Sequence, residues 1–451
     1  MCIRCWFALS LVFVLSAPLP GALPTPEDVE YLSLTAAVQQ ALQNNPVLAA
    51  AEARHQAAHS RVREVQSNRL PQINAAAGVT RYEKPNMILP IHQVGVFPPL
   101  DDQIYHSSIE ARLPLYSGGR IGAAVAAEKA TAAELDAYLQ AERTQLIEQI
   151  GLIYVQAAEL RDRQLLLDGA MSVLEQRRRE MGILQSEGRL SEADLALVHA
   201  AIAEQRADSL QAAAAIGQVR ARLAYFLGSD HAVAPLIEDS LHVPPVETLL
   251  PADSAGAVQD GASVKQAQAR LDRTLAGRAL ANRSFLPELG AFAAYQYRSG
   301  DDRWDPQGEW AIGVNLNIPL FTGGKRLAAR QAAQSEADGA QQTLLAMRRL
   351  QDTEMHLALQ QMRDSHAVQL ILGRAVESVK QVVQAQVHLY REGRLPLSEL
   401  LQQEAELLEL ELRHRVQVYN EIRAWMRYRA LSGRLDETSL QVVMRYPLSD
   451  R

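Results

Sequence analysis

The chain has almost no cysteine. Of its 451 residues only Cys2 and Cys5 are cysteines. Both sit in an N-terminal stretch where Arg4 precedes an apolar run, Cys5 to Ala17, that is broken by Pro18, Pro20 and Gly21. That pattern reads as a secretory signal peptide, with Ala17 and Ala22 as small cleavage residues and a mature chain expected to begin near Ala22 or Leu23. Export then leaves no thiol, which excludes disulfides, thiolate chemistry and cysteine-ligated metal. No lipid anchor is expected either, because the cysteines precede the apolar run. Long hydrophobic runs are also missing. Beyond the leader nothing approaches the roughly 20 apolar residues of a membrane-spanning helix. Either a soluble exported protein or a β-barrel of short alternating strands remains open. Aromatics are scarce at 5%, and alanine, glutamine, leucine, glutamate and arginine dominate, which favours long helices over a compact mixed core. The net charge of −7 gives no basic surface for nucleic acid. No Gly-x-Ser-x-Gly elbow is present, so the sequence offers no enzyme chemistry and calls for no cofactor.

What is present is a tandem repeat. Leu113-Pro114-Leu115-Tyr116-Ser117-Gly118-Gly119-Arg120 recurs as Ile318-Pro319-Leu320-Phe321-Thr322-Gly323-Gly324-Lys325, so residue 114 maps to residue 319, an offset of 205. The same offset carries Glu187-Gly188-Arg189-Leu190 onto Glu392-Gly393-Arg394-Leu395 and Leu227-Gly228 onto Ser432-Gly433. Upstream, Leu70-Pro71 pairs with Leu286-Pro287 at a larger offset, because the first half has an insert between residues 83 and 104. The expected organisation is a signal peptide at 1–22, a first repeat at 23–228, a linker at 229–253, a second repeat at 254–433 and a tail at 434–451. Each repeat reads as helix, strand, loop, strand, very long helix, tight turn, long helix. The expected helices are 120–186, 191–227, 325–391 and 397–431. The two longest segments lack proline, keep alanine and leucine at helical spacing, and would each run roughly 100 Å at 1.5 Å per residue. Helices of that length must pack along partners, most simply the helix that folds back through each Glu-Gly-Arg-Leu turn.

Period-2 alternation appears only beside the prolines, predicting strands near 69–83, 104–116, 285–298 and 309–321. In the last, Trp310, Ile312, Val314, Leu316, Ile318 and Leu320 alternate with Ala311, Gly313, Asn315 and Asn317. In the second, Tyr105, Ile109, Ala111, Leu113 and Leu115 oppose His106, Ser108, Glu110 and Arg112. Such alternation fits a half-buried soluble sheet as well as a barrel. Four strands cannot close a barrel alone, since the smallest use about 8, so closure would need several copies. Tyr82, Tyr105, Tyr297, Trp304 and Trp310 gather at strand ends, where an interfacial girdle would lie.

Through Leu70-Pro71, Pro114-Leu115-Tyr116-Ser117-Gly118-Gly119, Leu286-Pro287, Pro319-Leu320-Phe321-Thr322-Gly323-Gly324 and the two Glu-Gly-Arg-Leu turns, the chain resembles the TolC-like outer membrane factors over nearly its whole mature length. The resemblance implies a mainly α protein with a membrane β-barrel: a homotrimer whose strands form a 12-stranded barrel and whose helices form a periplasmic α-barrel. It implies the outer membrane of a Gram-negative bacterium, a periplasmic adaptor and an inner-membrane transporter as partners, and a passive export role. It places Pro71, Pro114, Gly118, Gly119, Pro287, Pro319, Gly323 and Gly324 at the barrel-to-helix transition. Gly188 and Gly393 become turn glycines of a periplasmic tip that docks the adaptor, and Asp194 and Glu399 gate carboxylates whose ring would attract cations. Three residues beyond Glu399, where the best-known member has a second gate acid, stands Gln402. Arg189 and Arg394 either pair with those carboxylates or are ordinary solvated side chains. A periplasmic coiled-coil adaptor and a poreless structural protein are the alternatives; the duplicated hairpins and strand pairs argue against the adaptor, and fractionation separates the structural protein.

Three further motifs have plainer readings. His55 and His59 have the i, i+4 spacing of a zinc pair, but Gln56-Ala57-Ala58 between them lacks the acid of a metalloprotease motif, so the pair reads as a polar helix face and no metal is expected. Thr322-Gly323-Gly324-Lys325 lacks the spacing of a phosphate loop and reads as a strand-to-helix turn. Arg177-Arg178-Arg179, a basic run near the tip, reads as a solvated helix face in preference to an adaptor contact.

Overall fold

Alanine-rich, proline-free sequence produces the largest elements of the protein, two helices of 67 residues each. The computed structural model describes residues 31–88, 90, 95, 97–186, 192–229, 236–237, 261–301, 307–436 and 439–440. The expected signal peptide, Trp304, Gly188, Arg189 and most of the 229–253 and 434–451 segments lie outside the described residues. In chain order the elements are β1 (Tyr31–Leu32), α1 (Leu34–Asn44), α2 (Pro46–Ser67), β2 (Gln72–Met87), β3 (Leu100–Tyr116), α3 (Arg120–Ser186), α4 (Glu192–Phe226), β4 (Leu236–Ile237), α5 (Ala262–Arg283), β5 (Glu288–Gly300), β6 (Gln307–Asn317), α6 (Lys325–Arg391) and α7 (Leu397–Leu431).

The repeat governs the elements in detail. Shifting α3 and α4 by 205 residues gives the limits of α6 and α7 at both ends, and shifting α2 by 216 gives those of α5. Strand register repeats as well. Within the first hairpin Gln72 opposes Arg112 and Ile73 opposes Ala111. Within the second, Glu288 opposes Asn317 and Leu289 opposes Leu316, the same pairs carried by the same two offsets.

Local chemistry sets the boundaries. Ser33 caps α1, its hydroxyl accepting from the Ala36 amide. Asn45 ends that helix and starts the next: its side-chain oxygen accepts from the Val47 and Leu48 amides, with Pro46 at the first helical position, where a missing N–H costs nothing. Strand limits depart from the alternation pattern. The ladder of β6 stops at Asn317 although Ile318 and Leu320 continue the pattern, because Pro319 has no N–H to donate. β2 runs on to Met87 across Pro85 by way of a register shift between Arg81 and Asn86, the kind of irregularity where a strand proline is tolerated.

The four long strands form one antiparallel sheet in the order β2-β3-β5-β6, and β1 and β4 make a separate parallel pair. The helices follow the strand order, with α2 packed on α3, α3 on α5 and α5 on α6. Farther from the sheet, α4 packs on α3, α3 on α7 and α7 on α6. The main core lies at mid-height, where α1 crosses α3. There Leu34, Val38, Ala41, Ile150, Tyr154, Leu223, Ile422, Trp425 and Met426 are buried together, and the Tyr154 hydroxyl donates to the Leu32 carbonyl at 3.0 Å. Burying side chains of this size contributes about 1.5–3 kcal/mol each, which offsets the cost of ordering two thin helical hairpins.

Candidate functional site

Alternation along the four strands gives the sheet two chemically distinct faces. Register places Ile73, Ala111, Ala293 and Ile312 in one row and Ala75, Ile109, Tyr295 and Trp310 in the next. This apolar face is open to the surroundings: Trp310 and Ile312 are each 74% exposed, more than large apolar side chains tolerate in water as a contiguous patch. The opposite face carries Gln72, Asn74, Glu110, Arg112, Gln296, Glu309, Asn315 and Asn317. Near the helical end it forms an open concavity of about 870 Å³ lined by Gln72, Glu110, Arg112, Glu288, Asn315 and Asn317. Arg112 lies along Glu110, with a 2.6 Å contact from Nε to the carboxylate. Among the described residues no helix is long and apolar enough to cross a membrane.

At the junction of sheet and helices, Pro71 precedes β2, Pro287 precedes β5 and Pro319 follows β6, while Pro114 falls inside β3 at the register shift between Pro114 and Tyr116. Gly118 and Gly119 have φ of 60° and 75°, and Gly323 and Gly324 have 60° and 80°, the left-handed region where glycine is favoured. Their surroundings differ. A Cβ on Gly118 would lie 2.4 Å from Leu286 Cβ, whereas one on Gly323 would meet nothing within 4 Å. The cause is position in the sheet: β3 borders β5, which begins just after Leu286-Pro287, while β6 is an edge strand. Arg120 pairs with Glu288 at 2.9 Å across this inner junction.

At the far end of the helices, Gly393 turns the chain with φ 69°. Its amide donates to the Tyr390 carbonyl and the Arg394 amide to the Leu389 carbonyl, each at 2.9 Å, which satisfies carbonyls left open at the helix end. Asp194 and Glu399 occupy the first turns of α4 and α7, where the helix dipole favours a carboxylate. Glu399 and Gln402 are exposed and Asp194 is half-buried. Arg394 Nη1 sits 3.4 Å from Glu392, both side chains exposed.

A contact that joins the two hairpins near the tip comes from a residue read from sequence as solvated. Arg177 is buried while Arg178 and Arg179 are exposed. Arg177 forms a bidentate ion pair with Glu404 of α7 and lies 5.7 Å from the ring centre of Tyr390 on α6. Around it Met181, Val198 and Leu397 are buried, with Leu195, Ile202, Tyr390 and Leu401 packed on them. Burial raises the Tyr390 phenol above its ordinary pKa; Arg177 opposes this, and Asp194 and Glu180 add to it. Helices α3, α6 and α7 thus meet at one cation, and α4 joins the adjoining apolar cluster through Val198. The three-arginine run was the only sequence signal for it, and its partners lie in the other repeat.

A mostly helical chain built as two hairpins on a four-stranded antiparallel sheet, with an exposed apolar sheet face, is the architecture of outer-membrane channel subunits. The family profile described as "Outer membrane efflux protein" matches residues 37–229 and 257–433, and the chain belongs to that family. No curated protein sequence matches it. Among solved structures it is similar to the CmeC outer membrane channel of Campylobacter jejuni, at 17% identity over 90% of this chain and 88% of that one with a TM-score of 0.77. It is likewise similar to the outer membrane protein VceC of Vibrio cholerae, at 20% identity over 89% and 96% with a TM-score of 0.76. The outer-membrane channel OprN matches at 21% identity over 89% of each chain, with a TM-score of 0.74. At such identities the likeness establishes a common fold.

Proposed function

We propose that the protein is the outer-membrane component of a tripartite efflux pump or a type I secretion system, a passive export conduit formed by a homotrimer and gated at its periplasmic tip. The observation that carries this reading is the pair of open sheet edges. Among the described residues β2 pairs only with β3 and β6 only with β5, so each copy offers two unpaired edges, a hazard that barrel closure removes. The repeat specifies the closure. Carrying the pairs of β3 with β5 through the two offsets sets Val314 of one copy opposite Val79 of the next, and Leu316 opposite Ala77. The same mapping brings Leu70 of the next copy onto Gly323, as Leu286 sits on Gly118. Three copies give twelve strands, with the apolar face toward lipid and the polar face lining the lumen.

In this reading Pro71, Pro114, Pro287 and Pro319, with Gly118, Gly119, Gly323 and Gly324, turn each strand into the helical tube. Gly188, Arg189, Gly393, Arg394, Asp194, Glu399 and Gln402 lie at the tip, where an adaptor docks and an inner-membrane transporter supplies the energy. The chain itself does no chemistry. A periplasmic adaptor or a poreless structural protein would have no use for an exposed face of Trp310, Ile312 and Val314. Planar-bilayer recording tests the proposal: the purified protein should give discrete channels, and Asp194→Ala with Glu399→Ala should raise conductance or shift cation selectivity. Recovery of the protein from soluble periplasm without detergent, and no currents on reconstitution, would rule the conduit out.

A further inference from the structure

Away from the sheet and the tip, α2 and α3 bring three metal-binding side chains to one point. His55 and His59 stand one turn apart on α2, and Asp136 faces them from α3. The two Nε2 atoms are 3.0 Å apart, with the rings edge to face at 4.6 Å. His55 Nε2 contacts Asp136 Oδ1, and His59 Nε2 lies 3.9 Å from the same oxygen. All three donor atoms fall within 4.8 Å of one another. Ala58 and Val62 of α2 pack with Ala132 and Leu135 of α3 beside the cluster, so both helix backbones are fixed under it.

Hydrogen bonding alone serves this arrangement poorly. Neutral His55 presents at Nε2 either one N–H or one lone pair. If it donates to Asp136, His59 must share that one proton at 3.0 Å; if it accepts from His59, it faces the carboxylate with a lone pair. A cation accepts all three lone pairs at once. Ligands held about 2.0–2.1 Å from a tetrahedral ion are about 3.3 Å apart. The 3.0 Å between the two histidines is near this, the 3.9 Å from His59 to Asp136 is wider, and the contact of His55 with Asp136 is tighter. Binding therefore needs the Asp136 carboxylate to swing from His55 toward His59.

The second repeat supplies the contrast. Under the offsets that superpose the halves, His55, His59 and Asp136 correspond to Leu271, Leu275 and Gln341. There Leu271 packs on Val264, Ala267 and Leu344, an apolar seam between α5 and α6. Where the first repeat has His55 its twin packs a leucine, and at the positions of His59 and Asp136 it carries Leu275 and Gln341, which offer no metal ligand of this class.

We infer that His55, His59 and Asp136 form a binding site for a borderline divalent cation of the Zn²⁺ class, which ties α2 to α3 below the first strand hairpin. Two imidazoles and one carboxylate suit such ions, whereas Mg²⁺ and Ca²⁺ take oxygen ligands. Water completes the shell, because the His59 and Asp136 side chains are 49% and 51% exposed.

The test is Zn²⁺ titration by calorimetry of the full mature chain, purified in detergent without a histidine tag and stripped with chelator. One Zn²⁺ per chain is expected, weakened at least about tenfold by Asp136→Asn and abolished by His55→Leu with His59→Leu. That leucine pair copies the residues of the second repeat, where Leu271 packs in the seam between the equivalent helices. Replacing His356, whose exposed i, i+4 contact to Asp352 is 3.6 Å, with alanine should change nothing. Co²⁺ loading should give visible bands of nitrogen and oxygen ligation that disappear in the leucine variant. Equal Zn²⁺ binding by the wild type and the leucine variant, or binding by neither, would overturn the site.

Discussion

Single residues decide how the two hairpins hold together at the tip. Arg177 and Glu404 are mostly buried, with side chains 9% and 17% exposed, so removing one partner strands a charge, at a cost of about 3 kcal/mol. Arg177→Ala should therefore speed hydrogen exchange in the last turns of α3 and the first turns of α7, while Arg178→Ala should leave exchange unchanged. If the tip is a gate, the same variant should also raise channel open probability. A second residue gives a pH dependence. Burial and neighbouring Arg415 push His414 below the ordinary histidine value. A folded value below the unfolded one favours the neutral ring, so this contribution is present above about pH 6.5 and is lost as pH falls through the folded value. Thermal unfolding in detergent should thus show a steeper loss of stability from pH 7 to pH 5 in the wild type than in His414→Gln. Tyr419 acts at the other extreme: burial and the 2.8 Å bond to Asp162 raise its hydroxyl, so its contribution is lost only in strong alkali.

Elements show which contacts belong to one chain and which await another. Gly118 and Gly323 are equivalent in sequence and in φ, and alanine at either incurs about 1 kcal/mol of left-handed strain. Gly118→Ala also drives a methyl into Leu286 and should prevent the protomer from folding well. Gly323→Ala should leave the isolated protomer folded, since the space beside it is open, yet impair assembly if Leu70 of a second copy comes to rest there. Circular dichroism of the protomer and the trimer yield on a native gel separate the two outcomes. At this scale the sequence was informative about helices and less so about strands. Proline-free runs and glycine turns coincide with the limits of α3, α6 and α7 because helix hydrogen bonds are local. Strand ends moved by up to four residues because a ladder lasts only while a neighbour accepts it, and Ile318 and Leu320 alternate with no ladder beside them.

At the scale of the whole molecule, the prediction is the register of closure. Chains carrying Val79→Cys and Val314→Cys should crosslink under oxidation into a trimer ladder on a non-reducing gel, since directly opposed strand positions have Cβ atoms about 4.5–5.5 Å apart. Replacing Val314→Cys by Asn315→Cys points the thiol to the other face and should abolish the ladder. Native cysteines should not interfere, because Cys2 and Cys5 fall within the expected signal peptide. The sequence by itself determined the duplication, the long helices, the two-faced strands and thereby the family, because each of these rests on periodicity and on contacts close along the chain. Only the tertiary structure decided that Arg177 is buried between hairpins, that Asp136 meets the histidine pair, and that β3 borders β5 while β2 and β6 stay open. Those facts join residues from different helices or repeats, and no local pattern encodes which distant side chain will arrive.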